Sequence, residues 1–368
     1  MVILIFMAVL FILIIAADKV YKRVWDRNLN VSVGFSDGNV TEGEKGELVE
    51  KIINDKKLPL PFALISFEMD KSILYEESKN VLKSDKNYRH DCTNIAGKSI
   101  TERSFPVQYS KRGYYSIEKA EMRIMGINGK KKYISGFSFY SDIYVYPRRS
   151  LCVDAKAPFS RITGEVIRNK SFMEDPFEFK GIRDYTGTEP MKKINWRASA
   201  KEGRLMVNNY YDTTSRDITI IIDMSHSGVW KEEEKLEELI RIARNYVEDF
   251  ARKKIPVRII TNALDRNGKT IHFDSGVENS YVTDTLRKMA MFDLTQRPAQ
   301  ISDYLDGHKP ENNELTVLLS ANPSQTLCTA YDNYIGHENG EWVYPLMGES
   351  RPEIGSRRFN LSFVEVAR

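Results

Sequence analysis

Cysteine, histidine and an excess of charge of either sign are what this sequence has little of. Three cysteines in 368 residues, Cys92, Cys152 and Cys328, are odd in number and far apart, so neither a disulfide framework nor a Cys-x-x-Cys metal or redox motif is available. A reducing compartment fits that usage. The five histidines, His90, His226, His272, His308 and His337, show no His-Glu-x-x-His spacing, which leaves a zinc hydrolase without support. No Gly-x-x-x-x-Gly-Lys-(Ser/Thr) loop, Gly-x-Ser-x-Gly elbow or Gly-x-Gly-x-x-Gly turn falls at a strand-to-helix junction. With 54 Lys+Arg against 51 Asp+Glu the net charge is +3, so the bulk basic excess of a nucleic-acid binder is missing. No nucleic-acid partner, no small-molecule substrate and no enzymatic activity are expected. The 21 Gly and 13 Pro are too few for a low-complexity chain, and 42% hydrophobic residues suffice for folded cores. At roughly 150 residues per domain, two cores are expected.

One long hydrophobic run is present. Residues 1–17, MVILIFMAVLFILIIAA, carry no charge, Gly or Pro and reach roughly 25 Å as a helix, just short of a hydrocarbon core. Lys19, Lys22, Arg23 and Arg27 follow the run and no basic residue precedes it, the reverse of a cleaved secretory signal. The positive flank predicts a single-pass anchor over residues 1–18, a cell-membrane location and a cytoplasmic bulk. A buried core helix, or one arm of a hairpin whose other arm lies upstream, is the alternative.

Residues 28–150 read as a β-sandwich of immunoglobulin-like size, with short β-type runs such as NVSVGF, ELVEKIIN and SGFSFYSDIYVYP separated by Asp37-Gly38 and Asn128-Gly129 turns. Residues 151–180 show no sustained period and read as a connecting segment. Residues 181–368 change character. DITIIID, IPVRIIT and LTVLLS are near-continuous apolar runs, the signature of parallel strands covered on both faces. Between the first two, Leu236, Leu239, Ile240, Ala243, Tyr246, Val247 and Phe250 share one helical face, and another helix is expected around 281–291. The alternation predicts an α/β domain with an open parallel sheet and helices on both faces. NLSFVEVA at 360–367 looks like one more strand.

The first expected parallel strand ends in Asp223-Met224-Ser225-His226-Ser227. Loops at the carboxyl ends of such strands form the ligand crevice, so the loop after Ile222 is expected on an open rim, where one carboxylate and two hydroxyls supply the hard oxygens Mg²⁺ prefers. The pattern resembles the metal-ion-dependent adhesion site of von Willebrand factor type A domains. Asp223, Ser225, Ser227 and, from the second loop, Thr261 are the candidate metal ligands. Ala321 stands where the resemblance calls for a third-loop carboxylate, and the alternative reading has Ser225 or Ser227 capping the following helix.

The second stretch runs from Gly181 to Leu205. Arg183, Tyr185, Gly187, Ile194, Trp196, Arg197, Ser199, Ala200, Gly203 and Leu205 fall at the spacing of a prokaryotic family known as domain of unknown function 58, which this chain resembles over most of its length. Thr188 departs from the family's usual Asp. The resemblance implies a membrane anchor, an immunoglobulin-like β-domain, a von Willebrand type A-like domain and a MoxR-type AAA+ ATPase as partner, with no established enzymatic activity. The family-motif candidates are Arg183, Tyr185, Gly187, Trp196, Arg197, Ser199, Ala200 and Gly203. Arg183, Lys192, Lys193, Arg197, Lys201 and Arg204 form a basic cluster with Tyr185 and Trp196 interleaved, suited to an acidic partner surface. The alternative makes Trp196 and Tyr185 core anchors and pairs Arg183 with Asp184, Glu202 or Asp212. The expected function is a non-catalytic membrane-anchored interaction module or scaffold. A Mg²⁺-dependent adhesion module, with Mg²⁺ the one candidate cofactor, and an unrecognised hydrolase are the competing readings.

Overall fold

The computed structural model describes residues 2–76, 81–83, 87–126, 132–170, 174–212, 217–226, 230–310, 314–336, 340–355 and 358–366. The chain divides into two units, Met1–Arg148 with Met289–Met291, and Arg149–Lys288 with Phe292–Arg368.

The first unit opens with α1 (Val2–Val24) and continues as ten strands: β1 (Leu29–Phe35), β2 (Val40–Thr41), β3 (Lys45–Asn54), β4 (Leu60–Met69), β5 (Ile73–Tyr75), β6 (Val81–Lys83), β7 (Asn87–Ile95), β8 (Ser99–Tyr109), β9 (Gly113–Met125) and β10 (Lys132–Tyr146). They form two sheets, ordered β1-β3-β8-β5 and β2-β10-β9-β4-β7-β6, antiparallel except for the short β2–β10 pair. Period-two patterning sends alternate residues inward, so Val31, Val33, Leu48, Ile52 and Val107 of one sheet share a core with Ile65, Phe67, Ile117, Met122 and Val145 of the other. Two polar residues sit in the inward row of β3, and each is hydrogen-bonded through one side-chain atom while Glu50 Oε1 and Asn54 Oδ1 accept no bond among the described residues. Glu50 pairs with Arg103 across the β3–β8 ladder, and Asn54 donates its amide to the Leu58 and Ala96 carbonyls at 3.0 and 2.7 Å.

The second unit contains α2 (Lys156–Lys170), β11 (Glu174–Asp184), a 3₁₀ turn at Met191–Lys193, α3 (Trp196–Glu202), β12 (Met206–Asp212), β13 (Ile218–Ile222), α4 (Trp230–Arg252), β14 (Val257–Thr261), α5 (Asn279–Ala290), α6 (Ile301–Gly307), β15 (Leu315–Leu319), α7 (Gln325–Ile335), β16 (Gly340–Leu346) and β17 (Phe359–Glu365). Five strands make an all-parallel sheet, β14-β13-β15-β16-β17, whose order reverses between β13 and β15. β13, β15 and β16 are buried along their whole length, and apart from Thr219, Thr316 and Glu341 their sequences are apolar to match. Phe159 of α2 packs on the Tyr246 and Phe250 rings of α4 at 5.5 and 4.6 Å, while α6 and α7 join a core containing Ile221, Leu318 and Trp342. Arg161 of α2 pairs with Glu341, a carboxylate buried on β16.

The expected architecture is corrected in two respects. Among the described residues no helix is long and apolar enough to cross a membrane, so the anchor over residues 1–18 and the single-pass membrane location are not supported. The physical reason lies in α1, where Asp18, Lys19, Lys22 and Arg23 occupy the last two turns. The uncharged stretch of α1, Val2–Ala17, spans about 24 Å of a core of about 30 Å. The expected composite loses its transmembrane helix, while its immunoglobulin-like β-domain is kept; the four sheets are mostly antiparallel, and one is parallel throughout. Residues 174–212 stay out of that parallel sheet, because β11 and β12 pair with each other as an antiparallel ladder. The segment expected to be a mere connection, 151–180, contains α2 and the start of β11.

Candidate functional site

The Asp223 loop leaves the carboxyl end of β13 as expected from the sequence, but its carboxylate is 0% exposed. The expectation of an open rim is corrected here. Asp223 Oδ1 accepts from the Ser225 amide at 3.0 Å and from Asn262 Nδ2 at 3.1 Å, and Oδ2 accepts from the Ser320 hydroxyl at 2.7 Å. The orientation of Asn262 is fixed, since its Oδ1 accepts from the Met224 amide at 2.8 Å while Nδ2 also reaches Ser225 Oγ and the Ala299 carbonyl. Thr261 Oγ1 donates to the Ile222 carbonyl at 2.8 Å. Ser227 lies outside the described residues.

This donor set does not fit Mg²⁺. The cation needs converging oxygens, whereas Asn262 turns a donor N–H toward the carboxylate and Thr261 turns its hydroxyl to the backbone. Among the described residues no three His, Cys, Asp or Glu side chains converge as a metal group. The loop instead ties together the ends of β13, β14 and β15 through three sequence-distant side chains. That is a structural knot.

The Gly181–Leu205 stretch is built differently. β11 and β12 pair from Glu174↔Asp212 to Asp184↔Met206, with α3 folded against β12. Asn195 caps α3, its Oδ1 accepting from the Ala198 amide at 2.9 Å, and Gly203 ends it with φ +70, a left-handed conformation open to glycine without a Cβ penalty. Ser199 pins the helix: its hydroxyl donates to the Asn195 carbonyl at 2.8 Å and accepts from the Met206 amide at 2.8 Å. Asn195 Nδ2 adds a bond to Asn208 Oδ1 at 2.7 Å. The loop before it is equally ordered. Arg183 pairs with Glu189, which also accepts from the Thr186 hydroxyl at 2.8 Å, and Gly187 turns the chain at φ +89. The Thr186 hydroxyl first, and the Arg183 guanidinium with it, hold the Glu189 carboxyl down at about 2.

Pinning Ser199 inward turns the remaining faces of α3 outward. Trp196 is 61% exposed and Met191 67%, and Ile182, Leu205, Arg197, Ala200 and Lys201 are exposed as well. The core-anchor reading of Trp196 is therefore corrected, Tyr185 is half-buried, and Arg183 pairs with Glu189 rather than with Asp184 or Glu202, the side chain of Asp212 lying outside those described. Asn195, Met191 and Glu189 were missed as members of the site. The signal for the first was legible, since Asn195 and Gly203 bracket WRASAKE as an N-cap and a C-terminal glycine bracket a short helix.

No family model matches the chain. No curated protein matches it either. Solved structures similar to part of it include the CARDB domain of a Pyrococcus furiosus protein in complex with di-metal ions, at 13% identity and a TM-score of 0.23 over 32% of this chain and 93% of that one. A non-cellulosomal cohesin from Archaeoglobus fulgidus is similar at 12% identity and 0.22, covering 32% and 91%. Two domains of the major pilin SpaD from Corynebacterium diphtheriae follow at 10% and 0.24, covering 31% and 52%. Each likeness is confined to a third of the chain and is too slight to say what the protein binds or does.

Proposed function

We propose that the protein is a non-catalytic protein-interaction module whose docking surface is the β11–α3–β12 hairpin, and that the partner is the MoxR-type AAA+ ATPase implied by the family resemblance of the Gly181–Leu205 motif. The observation that carries the reading is Trp196. A rigidly capped and pinned helix holds the largest side-chain type 61% exposed to solvent, beside exposed Met191 and Leu205. Exposed clustered apolar side chains on an ordered scaffold mark contact surfaces, and tryptophan and arginine dominate the binding energy of such surfaces. Two acids of the hairpin, Asp184 and Glu189, are committed to Arg204 and Arg183.

The test is calorimetric titration of the full chain with a purified MoxR-type ATPase. Trp196→Ala should weaken binding by roughly 30-fold or more, the effect of losing about 2 kcal/mol at a contact hot spot. Equal affinity of wild type and variant, or no binding by the wild type, rejects the proposal.

A further inference from the structure

We infer that the occupant of the hairpin surface is an acidic protein segment carrying apolar side chains; this rests on the docking reading above and adds the chemistry of the partner. The fifteen residues from Met191 to Leu205 hold five basic side chains, Lys192, Lys193, Arg197, Lys201 and Arg204, against the single acid Glu202. Arg204 is answered within the hairpin by Asp184 at 3.0 Å. Among the described residues no carboxylate lies within ion-pair reach of Lys192, Arg197 or Lys201, and all three are exposed. The surface thus keeps a local positive charge that its own fold does not neutralise, in a protein whose net charge is only +3.

Helix geometry arranges this charge. With Ser199 facing β12, Arg197 and Lys201, two residues before and after it, point nearly opposite, toward solvent. Trp196, three residues before Ser199, lies on the flank between the inner and outer faces. Charge occupies the crest of the surface and apolar side chains its side. A bilayer-seeking helix has the reverse order, with a broad apolar face leading and cations at its margins, and needs more length than the seven residues of α3. An acidic chain crossing the crest places carboxylates on Arg197 and Lys201 while its apolar side chains reach Trp196.

The experiment uses the full chain and three probes: a random glutamate–tyrosine copolymer, polyglutamate of matched length, and phosphatidylserine–phosphatidylcholine vesicles. The copolymer should bind about tenfold or more tightly than polyglutamate, both should weaken as salt rises, and any vesicle binding through the exposed apolar side chains of α1 should be the same in wild type and hairpin variants. The triple variant Lys192→Glu, Arg197→Glu, Lys201→Glu should lose copolymer binding while its melting temperature stays unchanged. Lys192→Gln, Arg197→Gln, Lys201→Gln removes the charge without repulsion and should weaken the copolymer about tenfold. Copolymer binding unaffected by either triple variant, or vesicle binding that both triple variants abolish, overturns the inference. The underlying docking reading fails separately: it falls if Trp196→Ala leaves binding of the ATPase intact, and it survives if that variant loses the ATPase while the charge variants keep it.

Discussion

Replacing Asp223 by alanine tests whether its loop is a knot or a ligand site. In the fold the Asp223 carboxylate is the acceptor for the Ser225 amide and the Ser320 hydroxyl, and for one of several bonds made by Asn262 Nδ2. Asn262 keeps Ser225 Oγ and the Ala299 carbonyl after the change, so the buried Ser320 hydroxyl and the half-buried Ser225 amide lose their partner. At roughly 1–3 kcal/mol for each unsatisfied donor, Asp223→Ala should cost about 2–6 kcal/mol. With about 3 °C per kcal/mol for a unit of this size, the melting transition of the C-terminal unit should fall by roughly 6–18 °C. Thermal denaturation of the full chain, with Mg²⁺ and with chelator, is the assay. The fall should be the same in both, because the wild-type carboxylate is buried and already accepts three hydrogen bonds from the protein. A wild-type melting temperature that rises with Mg²⁺ while the variant's does not, or a loss below about 0.5 kcal/mol, refutes the reasoning.

Trp196→Ala should leave the melting temperature within a degree or two, in contrast to the roughly 3–5 kcal/mol lost when a core tryptophan is truncated; a large drop in a thermal scan contradicts the exposed placement. Gly203→Ala should cost about 1–2 kcal/mol, read by urea denaturation, because φ +70 puts a Cβ in the left-handed region; a neutral result contradicts the C-cap assigned to α3. The Glu189 carboxyl should still be ionised at pH 3.5 by ¹³C NMR. Its folded value is below the ordinary one, so the stabilisation it gives the loop is full above about pH 4.5 and lost as pH falls toward 2; a midpoint near 4.5 contradicts the Thr186–Arg183 clasp.

The strands of the parallel sheet were legible because burial on both faces favours long apolar runs, and the runs at 217–223, 255–261 and 315–320 contain β13, β14 and β15. α2 was not, since Pro158 and Gly164 break the composition expected of a helix and its Phe159 finds its partners, the Tyr246 and Phe250 rings, far along the chain. The Asp223 loop was placed at the right strand end, yet its closure depends on Asn262 and Ser320, which no local pattern links to it. Trp196 misled for the converse reason. A tryptophan beside Ile194 reads as core, but a hydroxyl, Ser199, faces inward because the Met206 amide needs an acceptor, and this turns the indole out. The charged residues at the end of α1 were taken as flanks of a membrane span, whereas the helix carries them within its own last two turns.

The docking surface is tested most directly by hydrogen–deuterium exchange on the full chain with and without the MoxR-type ATPase. Binding through the hairpin predicts slowed exchange in residues 191–205, lost in Trp196→Ala, with the loops after β13 and β15 unchanged. Protection confined to those loops, or no protected segment at saturating partner, contradicts it.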